Sequence, residues 1–93
     1  MSDADQRREV YYSGRVQGVG FRYTAQEIAS RHEVTGFVRN LPDGRVHLVV
    51  EGGSAAVKSF LDDLARAMGR YIQKTAIQEG EATGRFSGFS IRH

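Results

Sequence analysis

Apolar residues recur along this chain with two different periods, and the points where the period changes divide it into elements. From Arg7 to Ser13 the β-favouring Val10, Tyr11 and Tyr12 form the centre of a strand. Gly14 to Gly20 is a loop with three glycines. Phe21, Ala25, Ile28, Ala29 and His32 then fall on one helical face, which predicts a helix from Phe21 to about Glu33. Val34 to Asn40 reads as a second strand, and Leu41-Pro42-Asp43-Gly44 as a turn whose Asp-Gly pair is a hairpin signal. Arg45 to Glu51 alternates. Val46, Leu48 and Val50 share one face, with Arg45, His47, Val49 and Glu51 on the other, so a strand with one well-buried face is expected.

Gly52-Gly53 ends that strand, and Ser54 is the expected N-cap of the next helix. Val57, Phe60, Leu61, Leu64, Ala65 and Met68 make the cleanest amphipathic pattern in the chain, with Gly69 as C-cap. Tyr71 to Glu79 predicts a strand of weak pattern, Gly80 to Arg85 a polar loop, and Phe89 and Ile91 a short last strand. The order is βαββαβ plus a short closing strand. Two helices on one face of a mostly antiparallel sheet make an α+β, ferredoxin-like sandwich. Residues 1–6 are expected to be a frayed tail and 7–93 a single domain.

Composition narrows the classes of function. The chain has 93 residues, 40% of them hydrophobic and 26% charged, which is a globular mixture. It has no cysteine, so disulfides, thiolate metal sites and a cysteine nucleophile are excluded. The polar stretch from Met1 to Glu9 has no apolar run of the signal-peptide kind, and no segment reaches the roughly 18 apolar residues that span a bilayer. No membrane association and a cytoplasmic location are expected. Thirteen Lys and Arg against eleven Asp and Glu leave a net charge of +2 with no basic run, a mild preference for anions and no nucleic-acid footprint. No apolar stripe is left without a partner, so a monomer is expected.

Glycine is enriched, 11 of 93 against an average usage of about 7%, and it concentrates at particular turns. The most informative stretch is Gly14-Arg15-Val16-Gln17-Gly18-Val19-Gly20-Phe21-Arg22. It links a strand to a helix N-terminus, where the first N–H groups lack partners and the dipole favours an anion. Glycines let such a loop turn its N–H groups inward as a phosphate cradle. Gly20 supplies no side-chain acceptor for the helix start, and Arg22 puts a cation in the first turn, where a bound phosphate would turn a penalty into attraction. A glycine-rich turn beside a solvent-exposed arginine fits the same spacing. The loop is neither Gly-x-x-x-x-Gly-Lys-Ser/Thr nor Gly-x-Gly-x-x-Gly, so nucleotide binding lacks its fingerprint.

Gly14-x-Val16-Gln17-Gly18-Val19-Gly20-Phe21-Arg22 resembles the first signature of the acylphosphatases. Gly36-Phe37-Val38-Arg39-Asn40-Leu41-Pro42-Asp43-Gly44-Arg45-Val46, followed by Glu51-Gly52, resembles their second. The family's α+β sandwich matches the element order over nearly the whole chain. One departure is Gly69-Arg70, where many members carry Gly-Pro. The resemblance implies a hydrolase that cleaves acyl phosphates to a carboxylate and inorganic phosphate, without metal or other cofactor. It implies a phosphate-binding loop of Arg15, Val16, Gln17, Gly18, Val19, Gly20, Phe21 and Arg22. By position in the motifs, Arg22 is the catalytic arginine, and Asn40 is the asparagine that holds the attacking water.

Other readings compete with this one. His32, His47 and His93 have no partner at metal-ligand spacing and read as surface or structural residues. Asp62 and Asp63 are adjacent on a helix and point to different sides, as on a solvated face. RNA-recognition domains share the βαββαβ plan, but they need aromatic platforms on the central strands, and Arg45 to Glu51 carries no aromatic residue. A non-enzymatic anion- or protein-binding module of the same fold is the main alternative. The discriminating pair is Arg22 and Asn40, because a pure binding module has no need of a water-positioning asparagine.

Overall fold

The strand that alternates most clearly, β3 (Val46–Gly52), lies at the centre of the sheet. The computed structural model describes residues 5–93. Around β3 the five strands run in the order β4-β1-β3-β2-β5, where β1 is Gln6–Gly14, β2 Val34–Asn40, β4 Ile72–Glu81 and β5 Phe89–Arg92. All pairings are antiparallel except β2 with β5. Helices α1 (Phe21–Ala29) and α2 (Ser54–Met68) complete the expected βαββαβ order with its closing strand.

The register explains the core. Ile77, Val10, Leu48, Val38 and Ile91 face one another in a row across all five strands. The helices lie over that row, α1 through Phe21, Ala25, Ile28 and Ala29, and α2 through Val57, Phe60, Leu64 and Met68. Leu61 packs at the margin, while Ala65, expected on the buried face, is exposed.

Several local expectations are corrected. Gln6, expected in the tail, already pairs with Gly52 and Glu81; residues 1–4 of that tail lie outside the described residues. Helix α1 ends at Ala29, short of Glu33. There the Ser30 hydroxyl donates to the Glu27 carbonyl at 2.6 Å, and the N–H groups of Arg31 and His32 bond three residues back, tightening the turn. The N-cap of α2 is Gly53; Ser54 is the first helical residue and makes no cap hydrogen bond. Gly69 does follow α2, but in right-handed conformation, and it opens a 3-10 turn through Tyr71. In that turn the Arg70 guanidinium lies 5.3 Å from the Tyr71 ring centre. Strand β4 therefore starts at Ile72, and it continues to Glu81, which shortens the expected polar loop. Its weak pattern has a simple cause: it is an edge strand exposed along nearly its whole length.

The largest correction concerns β3, which is buried on both faces. Val49 is fully buried, and His47 and Glu51 are only 4% and 2% exposed. The face away from the helices is covered by Tyr11, Phe37 and Phe86 and by the segment after β4.

Candidate active site

The loop between β1 and α1 reaches the helix through Gly20, which occupies the N-cap with φ 77° and ψ 21°. Gly18 has the same φ. An L side chain seldom adopts this left-handed conformation, so glycine at these positions answers the backbone, not crowding; a Cβ on either would meet nothing within 4 Å. Among the described residues no side chain caps the start of α1, and no acidic residue lies in its first turn. The first N–H groups of the helix thus find no acceptor among the described residues, and they lie beside the Arg22 cation.

Arg22 and Asn40 come from segments eighteen residues apart, yet with Gly18 and Gly20 they line one cleft of about 200 Å³. Asn40 reaches it as the last residue of β2, opposite Val46 at the start of β3. Phe21, Tyr23, Ile91 and His93 complete the walls. One Arg22 Nη donates toward the Arg92 carbonyl at 3.4 Å and His93 Nδ1 at 3.3 Å, which leans the guanidinium toward the end of β5.

The other residues of the expected phosphate loop divide by what they touch. Val16 is fully buried, Phe21 is 2% exposed, and Val19 packs against the same core, so these three anchor the loop from beneath. The exposed Arg15 is tied by its N–H to the Tyr71 carbonyl at 2.9 Å. The Gln17 side chain turns toward the β2–β3 turn, where its Nε2 lies 2.8 Å from the Leu41 carbonyl oxygen. In that turn, hydrogen bonds from the Arg45 backbone and guanidinium hold the Asp43 carboxyl below the usual carboxylate range.

Three residues of the cleft were not singled out for it by sequence: Tyr23, Ile91 and His93. The first neighbours Arg22 in the chain, but the other two lie some seventy residues away, and only the parallel pairing of β2 with β5 brings them in. The remaining histidines are structural. His32 bonds Asp63 at 2.9 Å between the helices, and His47 lies in the layer beneath Tyr11 and Phe37.

Residues 8–91 match the Acylphosphatase family. The chain is 42% identical over 88 residues to an acylphosphatase of Methanospirillum hungatei, covering 92% of this chain and 96% of that one. It is 44% identical over 91 residues to an acylphosphatase of Rubrobacter xylanophilus, covering 92% and 79%. The crystal structure of acylphosphatase from Bacillus subtilis superposes with a TM-score of 0.85 at 30% identity, over 95% of this chain and 99% of that one. The fold, both motifs and these likenesses agree over nearly the full length, and the chain belongs to the acylphosphatase family, hydrolases of acyl phosphates.

Proposed function

We propose that Arg22 and the backbone N–H groups from Gln17 to Arg22 grip the phosphoryl group of an acyl phosphate while Asn40 orients the attacking water. The observation that supports this is the convergence of Arg22, Asn40 and the uncapped start of α1 on one cleft. The chemistry suits these groups. The leaving carboxylate is a weak base, so no strong general acid is required. The transition state is loose and spreads charge over the equatorial phosphoryl oxygens, so catalysis rests on positioning and fixed positive potential. Arg22 supplies a planar two-donor fork that a lysine would lack. Asn40 cannot act as a base, but its amide oxygen can accept a hydrogen bond from water. The new P–O bond forms as the bond to the acyl oxygen breaks, and a phosphoryl oxygen takes the proton from the water.

No metal or cofactor enters this scheme. The reading extends to a monomer acting in the cytoplasm on a small acyl phosphate, releasing inorganic phosphate, with the chain from Gln6 onward as one domain and no nucleic-acid or membrane partner. Among the described residues, no helix is long and apolar enough to cross a membrane.

The test is benzoyl phosphate hydrolysis with and without EDTA, with inorganic phosphate as competitive inhibitor. Arg22→Ala should lose phosphate binding, and turnover by about 100-fold or more, the scale of removing a preorganised donor. Asn40→Ala should lose about 100-fold in turnover while still binding phosphate. Near-normal turnover in Asn40→Ala would refute the water-positioning role. No hydrolysis above the spontaneous rate by a folded wild type that binds phosphate would point instead to a binding module.

A further inference from the structure

We propose that Gln17 is a positioning residue: its side chain braces the phosphate loop against the turn that carries Asn40 and so sets the distance between bound phosphate and attacking water. The inference rests on the roles proposed above for the loop and Asn40. Gln17 Nε2 donates to two carbonyl oxygens, that of Leu41 at 2.8 Å and that of Arg45 at 3.0 Å. These carbonyls close the β2–β3 turn, since the Arg45 oxygen also accepts the Leu41 N–H at 2.8 Å and the Leu41 oxygen accepts the Gly44 N–H at 3.1 Å. Leu41 directly follows Asn40. Among the described residues, these are the only hydrogen bonds between residues 15–20 and the turn at 41–45.

The geometry separates two demands. Phosphate is held by groups of one continuous segment, the loop and the first turn of α1. The water is held by a residue of another segment, and in-line attack needs the two in register; a displacement of about 1 Å can cost on the order of 100-fold in rate. Gln17 joins the two segments, and its side chain does not line the cleft. Its chemistry is specific to that task. One amide nitrogen offers two N–H donors at this reach. Glutamate of the same length would set an anion against two carbonyls, and asparagine is one methylene short.

The experiment measures kcat, KM and the inhibition constant for inorganic phosphate in Gln17→Ala, Gln17→Glu, Asn40→Ala and the double variant Gln17→Ala/Asn40→Ala. Gln17→Ala should lower kcat by about 10- to 100-fold and leave phosphate inhibition within about 3-fold. In the Asn40→Ala background the same change should add less than about 2-fold, because residues acting as one unit are not additive. Gln17→Glu should be impaired near neutral pH and recover part of its kcat in acid, where the protonated carboxyl can donate one hydrogen bond. The wild type should lack that recovery. This arm holds if Gln17→Ala fails to fold. The proposal is overturned if phosphate inhibition weakens as much as kcat falls, if the two substitutions multiply, or if Gln17→Glu shows no acid recovery. Normal turnover in Asn40→Ala alone would instead remove the role of Asn40 and with it the reason for the brace.

Discussion

The two faces of β3 are buried to nearly the same extent by different physical means. On the helix side Val46, Leu48 and Val50 are fully buried under α1 and α2, an apolar packing whose stabilisation scales with area and has no direction. On the other side His47 stacks on Tyr11 with ring centres 4.6 Å apart and meets the edge of Phe37 at 5.4 Å. Its Nδ1 accepts from Arg39 Nε at 3.0 Å, so its proton lies on Nε2, which faces Glu9 at 2.7 Å. Four residues on, Glu51 accepts from the Thr83 N–H and hydroxyl and the Gly84 N–H, at 2.9 to 3.0 Å. This face holds because nearly every polar group finds a partner, so the loss of one member leaves another unsatisfied. Burial alone does not tell the two constructions apart, but their responses to substitution and to pH do.

The helix side should give the largest loss. Leu48→Ala removes the middle of the five-residue row and should cost about 2–5 kcal/mol at every pH, read from urea unfolding. A loss below about 1 kcal/mol would mean that the neighbouring strands close over the gap. Glu51→Gln comes next, at about 1–3 kcal/mol, because the amide cannot accept all three hydrogen bonds and turns N–H donors toward others.

The pH dependence sharpens the contrast. Burial pushes the Glu51 carboxyl up, but the hydrogen bonds from Thr83 and Gly84 outweigh it and leave the group below its ordinary value. The hydrogen bond from His47 likewise holds Glu9 low. Groups lowered on folding stabilise the native state above their unfolded values, about 4.3 for glutamate, and lose that contribution as pH falls through the folded ones. Stability should therefore drop from about pH 5 downward, and Glu51→Gln should flatten that acid limb while Leu48→Ala shifts the curve without changing its slope. An unchanged acid limb in Glu51→Gln would contradict this assignment. The smallest effect is at the rim. The Arg45 guanidinium lies 4.7 Å from the Tyr11 ring centre, and Arg45→Ala should cost about 0.5–1 kcal/mol in thermal unfolding.

The comparison also shows where sequence reading is strong. Wherever a pattern is local, the element follows from it: the period of two in β3, the apolar face of α2, and the glycines that admit a left-handed backbone at Gly18 and Gly20. The errors sit where a distant contact decides. Alternation in β3 exposes one face on paper, but Glu51 is covered by Thr83 and Gly84, more than thirty residues away. The end of α1 turned on a serine hydroxyl competing for a helix carbonyl, which apolar periodicity does not register.

The candidate site divides in the same way. By itself the sequence singled out the residues proposed for the chemistry, through a helix start without a cap, an arginine in its first turn, and the motif that resembles the family's second signature and ends β2 in Asn40. Only the tertiary structure decided that these pieces share one cleft, that Ile91 and His93 wall it, and that Gln17 points away from it to tie its two halves together. The physical reason is range: backbone preference and apolar period act within a few residues, whereas the distance between the start of α1 and Asn40 is set by strand register and by hydrogen bonds between segments far apart in the chain.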